Sequence, residues 1–235
     1  RPSGVALGLD VTDVILRMYV ADTGNDRIQV FNAPSGPWFA FGTAGSSPGR
    51  LNGPSAIAVD GAGRIVVADT GNDRIQIFAS DGSLATLFGH AGSRAGQFDR
   101  PSGVALDLDP SGNILQIYVA DTGNDRVQVF GPHAVLAGEF VFEMQFGAPG
   151  TGAGEFNAPA GIAVAPNGEI VVADTGNHRV QIFSGDGQFQ REFGSLGSGD
   201  GELHEPAGLA VAADGSILAA NQRERALRTF TLPVL

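Results

Sequence analysis

The stretch VADTGNDRIQVF at residues 20–31 decides the architecture, because it returns. It recurs as VADTGNDRIQIF at 67–78, VADTGNDRVQVF at 119–130 and VADTGNHRVQIF at 172–183, and a worn copy, LAANQRERALRTF, covers 218–230. Ahead of each copy stands a second motif: PSGVALGLD from Pro2, PSAIAVD from Pro54, PSGVALDLD from Pro101, PAGIAVA from Pro159 and PAGLAVA from Pro206. Behind four of them comes Phe-Gly, at Phe41, Phe88, Phe146 and Phe193. Self-similarity at a fixed period is the mark of a repeat architecture.

The spacing separates a unit from its insertions. The motif prolines lie 52, 47, 58 and 47 residues apart. Asp22, Asp69 and Asp174 each precede the next motif proline by 32 residues, and Asp121 by 38. The unit is therefore 47 residues, with five extra residues early in repeats 1 and 3 and six more late in repeat 3. Within a unit, GVAL or GIAV, then VVAD or YVAD, then RIQVF, then the run into Phe-Gly are short β-branched or aromatic segments. Asp-Gly, Asn-Gly, Gly-Asn and Pro-Ser elements punctuate them. Residues Ile28 and Val30 alternate with Arg27, Gln29 and Phe31 at the period of a strand. Four short strands in 40–50 residues predict a propeller blade.

Composition narrows the function. The 235 residues hold 43% apolar side chains, enough for a packed core. The absence of cysteine excludes a disulfide framework, cysteine-ligated metal and thiol catalysis. A net charge of −11, with all 14 basic residues Arg, argues against nucleic acid and anionic membrane surfaces as partners. No apolar run approaches a membrane-spanning length, so no membrane insertion is expected.

The pattern P-x-G-I-A-V-D, I-Y-V-A-D-T-G-N-x-R-I-Q-V-F, F-G, G-x-F resembles the NHL repeat over nearly the whole chain. The resemblance implies an all-β fold: a β-propeller of five NHL-type four-stranded blades, the fifth incomplete. The blades fall at about 2–53, 54–100, 101–158, 159–205 and 206–235 of a single domain. Propellers of this family usually have six blades, so a part of a six-bladed ring is the alternative. By register the fifth Phe-Gly belongs near position 240, whereas the sequence given stops at Leu235. Three expectations follow: a fragment of a longer protein, a last blade closed irregularly by 232–235, or an open edge at the third strand of blade 5 that another chain pairs with.

With the P-x-G-I-A-V strand innermost, the A-D-T-G-N turns share one mouth of the ring. The insertions, within 8–18, 107–117 and 131–139, fall on the other. Insertions in repeat proteins often mark the binding face. The candidate binding residues are therefore Val11, Leu16, Arg17, His133, Val135 and Leu136, with Arg228 and Phe230 at the open edge. Trp38 reads as packing between blades.

Asp22, Asp69, Asp121 and Asp174 recur five residues before Arg27, Arg74, Arg126 and Arg179. Repeat 5 loses both members together, to Asn221 and Ala226, which marks them as structural pairs across a turn. Exposed pairs of this kind contribute at most about 1 kcal/mol each. The histidines do not occupy matching repeat positions; His178 and His204 are the one pair on neighbouring blades and the weak candidates for a metal. No cofactor is expected, calcium or zinc being the ions to consider.

The function expected is non-enzymatic: a rigid scaffold for protein–protein or protein–glycan contact, extracellular or periplasmic, and a subunit of an assembly if copies pair through the blade edge. Four near-identical repeats suit a scaffold, since catalysis needs one repeat to diverge. The rival is a lyase or hydrolase with a channel metal, of the amidating-lyase type that the family resemblance allows.

Overall fold

Val, Ile, Phe and Tyr fill the predicted strands at alternating positions, and every such segment pairs with its sequence neighbour in antiparallel register. A computed structural model describes residues 2–9, 16–32, 36–222 and 226–230 of the chain. Blade 1 consists of β1 (Gly4–Leu9), β2 (Leu16–Asp22), β3 (Arg27–Asn32) and β4 (Gly36–Phe41). Blade 2 has β5 (Ala56–Val59), β6 (Ile65–Asp69), β7 (Arg74–Phe78) and β8 (Leu84–Phe88). Blade 3 has β9 (Pro101–Leu108), β10 (Ile114–Asp121), β11 (Arg126–Pro132) and β12 (Phe140–Phe146). Blade 4 has β13 (Pro159–Val164), β14 (Ile170–Asp174), β15 (Arg179–Phe183) and β16 (Phe189–Phe193). Blade 5 shows three strands among the described residues: β17 (Pro206–Val211), β18 (Ile217–Asn221) and β19 (Ala226–Phe230). The fold is a five-bladed β-propeller with the innermost strands β1, β5, β9, β13 and β17 in ring order.

The early insertion of repeat 3 lengthens strands rather than adding an element. In blade 3, β9 and β10 run eight residues each where their counterparts in blade 2 run four and five. The late insertion extends β11 and β12 to seven residues and adds the turn at 133–139.

The core lies between blades. One face of blade 1 (Tyr19, Ala21, Ile28, Val30) packs on Ile57, Ile65, Val67 and Phe78 of blade 2. Blades 2 and 3, 3 and 4, and 4 and 5 repeat this contact with equivalent residues. Each fully buried Val, Ile or Phe contributes roughly 1.5–3 kcal/mol by leaving water, so these interfaces hold the ring.

Polar contacts follow the same direction round the ring. Thr23, Thr70, Thr122 and Thr175 donate their hydroxyls to the carbonyls of Pro54, Pro101, Pro159 and Pro206 in the next blade, at 2.6–2.8 Å. The inner-strand glycines allow the close approach. A Cβ on Gly103 would strike the Ala160 carbonyl, and one on Gly161 the Ala207 carbonyl.

Candidate functional site

The A-D-T-G-N segment forms a single 3-10 turn, and the residue after it turns left-handed: Asp26, Asp73, Asp125 and His178 have φ of 50–57°. This geometry aims the Asp carboxylate inward. In blade 2, Asp69 Oδ2 accepts from Asn72 Nδ2, Arg74 Nε and Gln76 Nε2 at 2.8–2.9 Å, and Oδ1 accepts from the Asn52 amide at 2.7 Å. The Arg74 guanidinium also donates to the carbonyls of Ser46, Ser47 and Arg50 in the connector from blade 1. Blades 3 and 4 repeat the network around Asp121 and Asp174.

The Asp–Arg pairing read from sequence is present, but its exposure needs correction. Asp69, Asp121 and Asp174 are wholly buried, and Arg74, Arg126 and Arg179 nearly so, because the connector loop folds over each guanidinium. The blade 1 pair is open on one side: Asp22 is buried, but the Arg27 side chain is 42% exposed. The Asn25 amide first, and then Arg27, hold the Asp22 carboxyl below its usual range. The repeated Gln of RIQVF was missed as a partner. Gln76 bonds Asp69, the Arg50 carbonyl and the Gly49 amide at 2.7–2.9 Å, and its presence in four copies was the available signal.

His178 stands where repeats 1, 2 and 3 have Asp. Asp26, Asp73 and Asp125 accept the amides of Gly53, Arg100 and Ala158, and His178 Nδ1 accepts that of Glu205 at 3.1 Å. Its ring meets His204 edge-on, with centroids 5.3 Å apart. The two metal candidates thus adjoin, with one nitrogen of His178 engaged by backbone. Among the described residues no group of three or more His, Asp or Glu side chains converges.

The axial cavity holds about 930 Å³ and is lined chiefly by Ser, Gly, Ala and Val of the inner strands. Its hydroxyls are engaged in the ring: Ser55 bonds Thr70 and the Ser102 carbonyl, and Ser102 bonds Thr122.

The opposite mouth carries the divergent loops. His133 and Glu139 close the blade 3 turn through a 2.8 Å backbone bond. His133 Nδ1 accepts the amides of both Val135 and Leu136 at 3.1 Å. That clamp projects Val135, 82% exposed, and Leu136, 49% exposed, from the tip. Beneath it, Tyr118 donates to Gln116 Oε1 at 2.6 Å, and Gln116 to Glu143 at 2.8 Å. Burial first, then the charges of Asp107 and Glu143, push the Tyr118 phenol up to about 12.

On blade 1 the Arg17 guanidinium lies 4.1 Å over the Trp38 ring. Trp38 is half exposed, so it caps the blade edge instead of packing between blades as the sequence suggested. Leu16 begins β2, its side chain outside the described residues, and Val11 lies outside them altogether. At blade 5, Phe230 stacks on Phe193, with centroids 4.5 Å apart, in the core between blades 4 and 5. Arg228 donates to the Ser198 carbonyl at 2.7 Å. Residues 232–235, on which the irregular closing strand was expected, lie outside the described residues. The structure therefore groups His133, Val135 and Leu136 at one tip, and places Arg17, Arg228 and Phe230 elsewhere.

Comparison with known proteins agrees with this geometry. The NHL repeat family matches residues 51–78 and 156–183, each spanning the end of a connector, an inner strand and the Asp turn. These are NHL repeats. Two curated relatives match over 45 residues, 19% of the chain: the B-box type zinc finger protein ncl-1 of Caenorhabditis elegans at 47% identity, and Protein brain tumor of Drosophila melanogaster at 44%. The match covers 5% and 4% of those proteins. Among solved structures, streptogramin B lyase is similar with a TM-score of 0.65 at 15% identity, over 99% of this chain and 69% of that one. Virginiamycin B lyase from Staphylococcus aureus gives 0.63 at 11% identity, over 100% and 71%. Nidogen from a nidogen/laminin complex gives 0.64 at 19% identity, over 97% and 79%. At these identities the likeness is one of fold.

Proposed function

We propose that this NHL propeller is a non-enzymatic scaffold that holds a protein partner on the mouth carrying the blade 3 insertion. The observation that carries the reading is the exposed Val135–Leu136 pair, held by His133 on a lengthened, doubly hydrogen-bonded β-ribbon. Solvent-exposed apolar side chains on a rigid tip lose little entropy on binding and suit a protein surface. The nidogen/laminin complex supports the reading as a protein-bound structure of similar fold.

Arg17 over Trp38 is a second contact on the same mouth, and an Arg–aromatic pair serves protein or glycan. Self-pairing at β19 belongs to the same scaffold role. No metal or other cofactor enters this reading. An extracellular or periplasmic setting goes with it, since a cysteine-free chain tolerates an oxidising compartment. The lyase or hydrolase reading has only the shared fold behind it, because the cavity lining offers hydroxyls already bonded to backbone or to each other.

The test is selection of a displayed random peptide library on the immobilised chain, beside a glycan array. Peptides that bind the native chain and are lost on Val135→Asp/Leu136→Asp are the expected result. Peptides that bind both forms equally, or glycans bound in place of peptides, overturn the assignment of this tip to a protein partner.

A further inference from the structure

The turns of the mouth opposite the A-D-T-G-N turns share one device, and the insertion turn of blade 3 departs from it. In five of the described turns an Asp or Asn side-chain oxygen accepts the backbone amide two residues on. Asp60 takes Ala62, Asp81 takes Ser83, Asp109 takes Ser111, Asn167 takes Glu169 and Asp214 takes Ser216, at 2.8–3.2 Å. In blade 3 the same role falls to His133, whose Nδ1 accepts the amides of Val135, two residues on, and Leu136, three on. The Oδ1 of Asn and the Nδ1 of His are both bonded to Cγ, so one can stand in for the other. The chain makes the same exchange at His178, whose Nδ1 takes the Glu205 amide as Asp26, Asp73 and Asp125 take those of Gly53, Arg100 and Ala158.

The two kinds of acceptor differ in their protons. An Asn oxygen keeps its lone pairs at every pH. Hydrogen bonds led by the side chains of Ser83, Asn113 and Ser216 hold the carboxyls of Asp81, Asp109 and Asp214 below their usual range. A neutral imidazole accepts at one nitrogen, whereas the imidazolium donates at both, and histidine is the side chain that makes this change between about pH 5 and 8. A proton on His133 Nδ1 confronts two N–H groups, and both bonds are lost together. At this end of blade 3 the charged side chains are Asp107, Asp109, Glu139 and Glu143. At the same mouth blades 2 and 4 contribute Asp81, Asp186 and two cations already paired, Arg64 with Asp60 and Arg191 with Glu169.

We propose that His133 is a proton-operated latch on the blade 3 tip: neutral, it holds Val135 and Leu136 in one arrangement; protonated, it frees them, and a protein bound there is let go on acidification. The release of a partner rests on the reading of the tip as a binding surface; the latch itself does not. Without the two bonds the turn still has those of the His133 amide to the Glu139 carbonyl and of the Glu139 amide to the Leu136 carbonyl. The ribbon therefore stays closed, and only the segment that carries the two apolar side chains is loosened. Binding must then re-order that segment, and an arrangement held by about one molecule in ten weakens the apparent affinity about tenfold.

Nuclear magnetic resonance of the nitrogen-labelled chain reads the latch with no partner present. As the His133 ring takes up its second proton between about pH 8 and 5, the Val135 and Leu136 amide signals move with it. Their protection from exchange, relative to an open chain, falls by at least about tenfold. His133→Asn, whose oxygen accepts and does not titrate, keeps both amides protected at both ends of the range, and His133→Ala leaves them unprotected throughout. Peptides selected from the displayed library at about pH 7.5 bind the native chain at least about tenfold more weakly at about pH 5, and bind the His133→Asn chain equally at the two. The latch is overturned if the two amides ignore the titration of the ring. It is overturned too if His133→Asn keeps the acid response of the native chain, which would assign that response to another group such as His178. Unchanged peptide affinity across a titration that frees the amides overturns the release of a partner. A library that yields no peptide for the tip overturns the binding reading, while the amide signals still decide the latch.

Discussion

Asp121→Ala tests whether the repeated turn is a buried anchor or a surface pair. The wild-type carboxylate accepts from Asn124, Arg126, Gln128 and the Asp99 amide at 2.8–3.0 Å, and is wholly buried. Removing it leaves the Arg126 cation, 6% exposed, without its carboxylate and the Asp99 amide without an acceptor, while Asn124 and Gln128 keep only their bonds to the Gly92 and Gln97 carbonyls. Breaking a buried pair by removing one partner costs about 3–5 kcal/mol. That is a large share of the roughly 5–15 kcal/mol that holds a domain together. Asp22→Ala is the internal control: Arg27 is 42% exposed and can be hydrated, so the loss there is about 1 kcal/mol or less. Guanidinium unfolding followed by circular dichroism reads both variants against wild type. Asp174→Ala must match Asp121→Ala, because its surroundings repeat. Equal small losses at Asp22 and Asp121 would refute the argument that the connector turns a surface pair into an anchor.

Two further outcomes follow from single residues. The folded state holds the Tyr118 phenol at about 12 against 10.0 when free, so its contribution to stability is intact below pH 10 and is lost as pH rises towards 12; phenolate absorbance should show a step near the upper value that Tyr118→Phe removes. Gly103→Ala should cost about 1–3 kcal/mol, because the new Cβ collides with the Ala160 carbonyl. Gly208→Ala, whose new Cβ meets only Ala220 at 3.4 Å, should be neutral or stabilising by about 0.4–1 kcal/mol through the unfolded chain, and unfolding midpoints compare the two directly.

The four-strand unit and the propeller class were legible because each unit repeats its own punctuation, and four copies average out local ambiguity. The Asp–Arg partnership was legible too, since blade 5 loses both members at once. Their burial was not. It depends on a connector such as Ser46–Arg50 capping an arginine that follows it by 24–28 residues, and nothing in the turn itself reports that. Phe230 shows the same limit. In sequence it ends a degraded edge strand; in space the bulge-free pairing of β18 and β19 turns it towards Phe193. The His133 clamp had no sequence signal, because it uses a ring nitrogen against backbone amides within one insertion.

The division of labour within the ring follows from this repetition. A residue fixed in four copies, such as Asp69 with Arg74 and Gln76, is used at every blade and so cannot single out one ligand position. Specificity must come from what is unrepeated, and among the described residues that is the blade 3 ribbon with Val135 and Leu136, and the Arg17–Trp38 pair. Stability in such an array is a sum over blades and neighbouring interfaces. Four interfaces are covered, whereas among the described residues Val5 and Leu7 of blade 1 and Leu227 of blade 5 are exposed on the faces the other blades bury, so opening should begin at β1 and β19. The blade 3 tip lies on the one blade flanked on both sides by blades that are themselves covered on both sides. The binding surface we propose is therefore carried by the part of the ring that opens last, and a ligand held there need not order the ends of the arc.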